Sequence, residues 1–395
     1  MSSSSIEAVA DEVTADETAL LKALVVRPTE NPPGDTNAAM EWLGLWLQDR
    51  GHTVEWHPCP APFGRHYGRG EVINLVVRHT FGAGPTVALH APLDTIPAGS
   101  HWRHDPFGAE IKDGLLFGRG ARDSKADIVA YIFAFEALIA DPAGLSGTLE
   151  LHITADEESG GFLGPAFLLS HHLSAPDAVI AAGTAYQVIV GQEGVLHMEV
   201  ILRGRQAHAS RPEDGHDAMI AAVAILSALT DGGAEREPLT IGLIEGGRGV
   251  NLVADRVRFT IDRRLKADDD GEAVEAALIE RISAVPVNAN VEVECRRLLL
   301  AEPVEPTERS ARLADTLSRH AEAALAQPVP VVSAPVVSGA RHYALAGIPT
   351  ALYGVGPPIV GEAVDFSADE SVRLGDLSRS TKAIIGAVRE LLTAP

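Results

Sequence analysis

Apolar residues recur at helical spacing through Asn37–Arg50, NAAMEWLGLWLQDR, and the run stops at Gly51, a residue suited to ending a helix. Short apolar runs at 53–56, 72–77 and 86–90 then read as strands. The pattern predicts a helix over about 125–140, a buried strand over 148–154, and a further helix and strand up to about Ala182. Strands alternating with helices predict an α/β domain, a sheet with helices on both faces.

The middle third has a different rhythm. Val195–Arg203 reads as a strand, Asp217–Leu229 as a helix, Leu239–Ile244 and Arg256–Arg264 as strands, Glu272–Ser283 as a helix and Val291–Cys295 as a strand. That order, β-α-β-β-α-β, is the ferredoxin-like split unit, able to fold alone as an insertion. Helix and strand alternation restarts at 310–320, and a helix over about 371–392 closes the chain. The expected division is 1–192 with 303–395 as one domain and 193–302 as the inserted one. Two domains also suit a chain of 395 residues.

Composition narrows the classes. The chain is 46% hydrophobic, and no apolar run approaches the length of a membrane span. The first residues, MSSSSIEAVADEVTADE, lack the basic start and apolar core of a secretory signal and read as a frayed terminus. Cys59 and Cys295 have no metal-like spacing, and so few cysteines fit a cytoplasmic protein. A formal charge of −22 argues against nucleic acid and anionic membranes as partners.

Candidate chemistry lies in three stretches. LHAPLDTIPAG, 89–99, ends a strand and puts Asp94 at its carboxyl edge, where open α/β sheets bind ligands. GRGARDSKAD, 118–127, offers a glycine-rich loop carrying Asp123. TADEESGG, 154–161, sets Glu157 and Glu158 just after a buried strand. An isolated acidic turn is usually a solvated loop. Three acidic groups converging at strand ends mainly hold a cation or share protons.

With GRQAHASRP at 204–212 and GRGVNLVAD at 247–255, the chain resembles a family of two-domain zinc peptidases from about residue 17 onward. Aminoacylase, acetylornithine deacetylase, succinyl-diaminopimelate desuccinylase and glutamate carboxypeptidase belong to it. The resemblance implies a zinc-exopeptidase-like catalytic domain, a mixed sheet flanked by helices, with the ferredoxin-like insert as lid and dimerisation domain. It implies a pair of zinc ions bridged by Asp123, with Glu157 as general base, Glu158 as a ligand of the second ion and Asp94 orienting a histidine ligand. His208 is then the lid histidine that reaches across a homodimer to polarise the scissile carbonyl. Asn251, Arg264 and Arg341 match positions that grip a substrate carboxylate or its polar backbone, a task the planar arginine fork suits. The partner so implied is a small molecule bearing a carboxylate.

Several ligand positions depart from that pattern. The histidine expected two residues before Asp94 is Pro92, the expected carboxylate is Thr184, and the expected C-terminal histidine is Phe366. Only Asp123 and Glu158 keep donor side chains, whereas zinc needs three or four nitrogen, sulfur or carboxylate ligands. The usual zinc pair is therefore expected to be absent, and no cofactor is firmly implied. His90, His152 and His342 are candidate substitutes, each with a simpler reading as a packed or solvent-facing histidine. His101 and His104 have the spacing of a helical metal pair, but their segment reads as loop.

The expected function is hydrolysis of an amide bond in an N-acyl amino acid or peptide-like substrate at a degenerate metal site. Two alternatives stand beside it. One is metal-free acid–base chemistry on a similar substrate (acyl transfer, cyclisation or elimination); the other is a non-catalytic relative that binds a small ligand.

Overall fold

The computed structural model describes residues 15–64, 70–230, 239–357 and 368–393. The N-terminal serines and Phe366 lie outside the described residues. The chain divides into two compact units, one of residues 1–191, 305–334 and 338–395, the other of 192–304 and 335–337.

The first unit is built on an eight-stranded sheet. Its strands are β1 (Val54–Cys59), β2 (Val72–Thr80), β3 (Thr86–Pro92), β6 (Thr148–Thr154), β7 (Ala178–Ala181), β8 (Val188–Gln192), β13 (Val331–Ala334) and β14 (Thr350–Leu352). They lie in the order β1-β2-β6-β3-β7-β14-β8-β13. The centre is parallel: β3 pairs with β6 and β7, and β7 pairs with β14. β1 and β2 join it antiparallel, so the sheet is mixed. β3 and β6 are buried along nearly their whole length, as strands covered on both faces must be.

Helix packing follows from composition. Helix α3 (Ala126–Ala140, ADIVAYIFAFEALIA) is apolar on almost every side, and it is buried beneath the C-terminal helix α9 (Leu374–Leu392). Helix α1 (15–25) and helix α2 (Asn37–Asp49) place Leu21, Leu24, Met40 and Leu43 in the same core. Helix α7 (Glu308–Leu325) starts with a reciprocal cap, in which the Thr307 hydroxyl accepts from the Ser310 amide and Ser310 accepts from the Thr307 amide. A second, three-stranded sheet of β4 (Glu110–Lys112), β5 (Leu115–Phe117) and β15 (Ser371–Arg373) has no counterpart in the sequence reading.

The second unit has strands β9 (Gly194–Arg203), β10 (Leu239–Gly246), β11 (Arg256–Leu265) and β12 (Glu292–Ala301) with helices α5 (Ala218–Thr230) and α6 (Gly271–Ser283). The antiparallel order β10-β11-β9-β12 is that of a ferredoxin-like βαββαβ unit. Met198, Val200, Ile225, Phe259 and Ile282 form its separate core, and the opposite face of the sheet carries charged residues such as Glu199 and Arg258.

Glu17 of α1 is fully buried and accepts a 2.5 Å hydrogen bond from the Thr381 hydroxyl of α9. Burial pushes its carboxyl up from 4.5 to about 7, with the Thr381 bond and Lys382 opposing the rise. A raised folded-state value stabilises most below pH 4.5, and that stability falls as pH climbs from there through about 7. The expected loss is on the order of 3 kcal/mol. Denaturation curves across this range should show the decline in the native protein and a flatter profile in Glu17→Gln.

Candidate active site

The parallel strands end on one edge, and the loops leaving them carry the site. Asp94 follows β3, Glu157 and Glu158 follow β6, Thr184 follows β7, and Gly354 and Val355 follow β14. The loop 118–125 presents Asp123 close enough to this group that its charge disfavours ionisation of Glu157 and Glu158.

Two buried carboxylates position these loops. Glu370 accepts from the backbone amides of Gly120 (3.0 Å), Arg122 (2.9 Å) and Asp123 (3.1 Å), and from Arg119 Nη1 at 2.8 Å. Arg119 and Glu370 are each only 2% exposed in their side chains. Gly120 has φ +79°, and a Cβ there would lie 2.5 Å from Thr95 Cγ2, so glycine is required. The peptide between Asp123 and Ser124 is cis, and the Ser124 hydroxyl donates to Asp123 Oδ1 at 2.7 Å. Lys125 is buried behind this loop; its ammonium donates to the carbonyls of Leu24 and Arg27, and burial pulls it down to about 7.

Asp94 does the same for the acidic turn. Its carboxylate accepts from Asn31 Nδ2 (2.7 Å) and from the amides of Glu157 (3.1 Å) and Glu158 (3.2 Å). Asp94 thus fixes the two glutamates through their backbone, and residue 92, two positions before it, is a proline with no imidazole to orient.

Glu157 points to the loop before helix α8 (Arg341–Leu345), where the Gly339 amide lies 2.8 Å from both of its oxygens. A Cβ on Gly339 would come within 2.5 Å of Glu157 Oε2. Burial pushes the Glu157 carboxyl up to about 8; Asp94 and Asp123 add to the rise, while the Gly339 amide and Arg341 oppose it. Glu158 presents an exposed edge, yet the protein packed around it, then Asp123, Asp94 and Glu157, raise it well above the usual range. The exposed Asp123 completes a crowd of like charges at the strand ends.

Asp127 was not singled out by sequence. It sits one helical turn beyond Asp123, and its Oδ1 accepts from the Val355 amide at 2.7 Å. A Cβ on Gly354 would lie 2.0 Å from that oxygen, so the glycine makes room for the carboxyl. Burial raises Asp127 well above its usual value, with Asp123 adding and the Val355 and Gly183 amides opposing. This side chain ties the start of α3 to the loops leaving β7 and β14. The signal available beforehand was only an acidic residue inside an otherwise apolar helical run.

The remaining expected residues take varied places. Arg341 is 3% exposed, and its guanidinium donates to the carbonyls of Gly160 (2.6 Å) and Ser338 (3.4 Å), bracing the loop around Glu157. In the second unit, Arg264 donates through Nε and Nη2 to Asp262 at 3.0 and 3.1 Å. His208 and Asn251 stand on segments joined by the Ala209 amide donating to the Asn251 carbonyl at 2.9 Å. The Ser210 amide donates to His208 Nδ1, which leaves the proton of the neutral ring on Nε2.

The substitute histidines are engaged elsewhere. His152 bonds Glu150 and the Tyr343 hydroxyl at 2.7 and 2.9 Å. Burial alone would raise Glu150, but His152, Ser174 and Arg78 hold it at about 2. His342 bonds the Gly160 carbonyl, and burial with Arg341 lowers it to about 4. His90 bonds the Thr154 hydroxyl at 2.9 Å and is lowered to about 3 by burial, then by His152 and His342. His101 and His104 lie in an irregular segment, where His104 bonds Glu110.

Zinc chemistry can be tested against this donor set. Pro92 offers no donor, and Thr184 offers a buried hydroxyl 3.5 Å from the Gln187 carbonyl. Among the described residues, no group of three or more His, Cys, Asp or Glu side chains could hold a metal ion. The side chains at 92 and 184 are therefore not among the nitrogen, sulfur or carboxylate donors that zinc takes.

Comparison with known proteins supplies the frame. Residues 88–390 match the family model described as peptidase family M20/M25/M40. Succinyl-diaminopimelate desuccinylase of Wolinella succinogenes is 25% identical over 334 residues, covering 80% of this chain and 87% of that protein. The enzyme of the same name from Acidiphilium cryptum is 34% identical over 225 residues, covering 54% of this chain and 56% of that protein. Among solved structures, human carnosine dipeptidase 1 matches with TM-score 0.79 at 18% identity, covering 98% of both chains. An M20 family metallo-carboxypeptidase from Sulfolobus solfataricus matches with TM-score 0.77 at 17% identity, covering 94% of this chain and 98% of its own. Those likenesses establish a shared fold.

Removing the Glu370 carboxylate should release the Asp123 loop. Glu370→Ala leaves Arg119 buried without its partner, a change that costs about 3–5 kcal/mol. Urea denaturation should show that loss, with Glu370→Gln less destabilised because one amide oxygen still accepts.

Proposed function

Because this chain belongs to peptidase family M20/M25/M40 and is thereby a hydrolase of carbon–nitrogen bonds, we propose that it cleaves the amide bond of an N-acyl amino acid or dipeptide-like substrate at a degenerate metal centre. The observation carrying this reading is the placement of Glu157, whose backbone is fixed by Asp94 and whose carboxyl is held against the Gly339 amide at the carboxyl edge of the parallel strands. Catalytic groups need such fixed geometry, whereas a pure scaffold has no use for it.

In this reading the ionised form of Glu157, which its raised pKa makes the minor form at neutral pH, takes the proton of the attacking water and passes it to the leaving nitrogen. His208, reaching across the homodimer, donates an Nε2–H hydrogen bond to the carbonyl oxygen as charge develops there. Asn251, exposed beside His208, contacts the polar end of the substrate. Arg264 exchanges its Asp262 contact for the substrate carboxylate, and Arg341 acts through the Glu157 loop. A cytoplasmic location belongs to the same proposal; no helix among the described residues is long and apolar enough to cross a membrane.

A homodimer through the second unit completes the proposal. Ile220 and Val223 are 70% and 55% exposed one turn apart on α5, and the edge strand β10 exposes Leu243 and Ile244. Sedimentation velocity should find a dimer, and the double substitution Ile220→Asp with Val223→Asp should give monomer. A wild-type monomer would remove this part of the reading.

The test of activity is a screen of N-acyl amino acids and dipeptides, with metal content measured by mass spectrometry on protein purified without chelator. Expected are turnover, less metal than a zinc pair per chain, and a loss of about 10²–10⁴ in kcat for Glu157→Gln with KM little changed. A full zinc pair with chelator-sensitive turnover would overturn the degenerate centre. Failure of every acyl substrate would overturn the substrate class.

A further inference from the structure

The face of the second unit's sheet opposite its helices carries a cleft of about 620 Å³ between strands β9–β12 and the turn at Gly246–Arg248. Five arginines line it (Arg203, Arg248, Arg256, Arg258 and Arg296) against four carboxylates, Glu199, Glu245, Asp255 and Glu294. A local excess of positive charge stands out in a chain of formal charge −22.

The carboxylates already have partners. Glu199, with a side chain only 4% exposed on the central strand, is held by Arg258 at 2.9 Å and Arg296 at 2.7 Å. Glu294 is held by Arg203 at 2.6 Å, Glu245 by Arg258 at 3.0 Å, and Asp255 by Arg248 at 3.2 Å. These pairs form a rung across the strands and fix the arginines' orientation. The side chain of Arg256, alone among the five, makes no hydrogen bond or ion pair among the described residues, and the residue is exposed. Arg248 is spent through a single contact and keeps 67% of its side chain open. The cleft therefore holds one whole guanidinium fork and part of a second, on a pre-oriented charged floor.

We propose that this cleft binds a small dicarboxylate, with one carboxylate on the fork of Arg256 and the other near Arg248. A planar fork takes a carboxylate through two parallel hydrogen bonds. The volume exceeds what one carboxylate fills, and the second arginine stands at the turn where β10 ends. The site is separate from the Glu157 cluster and does not depend on turnover. Its ligand recognition is electrostatic, so rising salt weakens it.

Isothermal titration of the full chain with succinate at low salt tests the assignment, with inorganic phosphate and the monocarboxylate propionate as separate arms. Saturable succinate binding is expected, weakened about tenfold or more in Arg256→Gln and unchanged in Arg312→Gln, an exposed arginine of α7. Because Arg256 supports no side-chain partner, the variant should keep the native melting temperature, which is checked alongside. Absence of saturable binding would overturn the proposal. So would equal weakening by both variants, or phosphate or propionate binding as tightly as succinate. Loss of acyl-amino-acid turnover elsewhere would leave these results untouched.

Discussion

The buried carboxylate of Glu370 is the constraint on which the site rests. It gathers three backbone amides and one guanidinium into a cradle, and so sets the loop that presents Asp123. Burying an ion pair is costly, and the net stabilisation of Arg119 with Glu370 is small unless every polar atom finds a partner. Here the carboxylate meets four donors. Such a pair contributes chiefly by choosing one loop conformation over others. Asp94 repeats the device on the neighbouring strand end, spending its oxygens on the amides of Glu157 and Glu158. Both loops are therefore anchored from below, through backbone, by carboxylates that are not themselves the reacting groups.

Anchoring of this kind changes what the crowded acids do. Asp94 and Asp123 raise the cost of ionising Glu157, and those two with Glu157 raise it for Glu158. In bulk water such a cluster would splay apart. The fixed backbone holds it together, and the Gly339 amide with the braced Arg341 is the nearest compensation. The stability given up in holding these groups together has to come from the surrounding core, where α3 buries an almost entirely apolar surface.

How much of this was legible in the sequence follows the physics of each signal. The long periodic elements were, because β3, β6, α3 and the βαββαβ order of the second unit bury continuous apolar faces. The sheet of β4, β5 and β15 was not, since three-residue strands contain too little pattern to detect. Asp94, Asp123 and Glu157 were legible as acidic groups at strand ends. Glu370 was not legible, because burial and four donors cannot be read from one glutamate. Asp127 was hidden by its helix. Arg341 was legible by residue type as a group suited to a substrate carboxylate, whereas its donation to two main-chain carbonyls depends on a loop fold that one residue does not encode.

The same accounting bears on how a site of this design departs from its family pattern. A histidine at 92 would meet an Asp94 whose oxygens already accept from Asn31 and two amides. Asp127 likewise spends an oxygen on the Val355 amide, tying the start of α3 to the loop leaving β14. What the described residues hold at these loops is a set of carboxylates, Asp94 and Asp127 among them, whose oxygens accept from backbone amides. The proposed role of Glu157 rests on that frame, because a carboxyl whose backbone is fixed from a neighbouring strand end keeps one position without help from its own side chain.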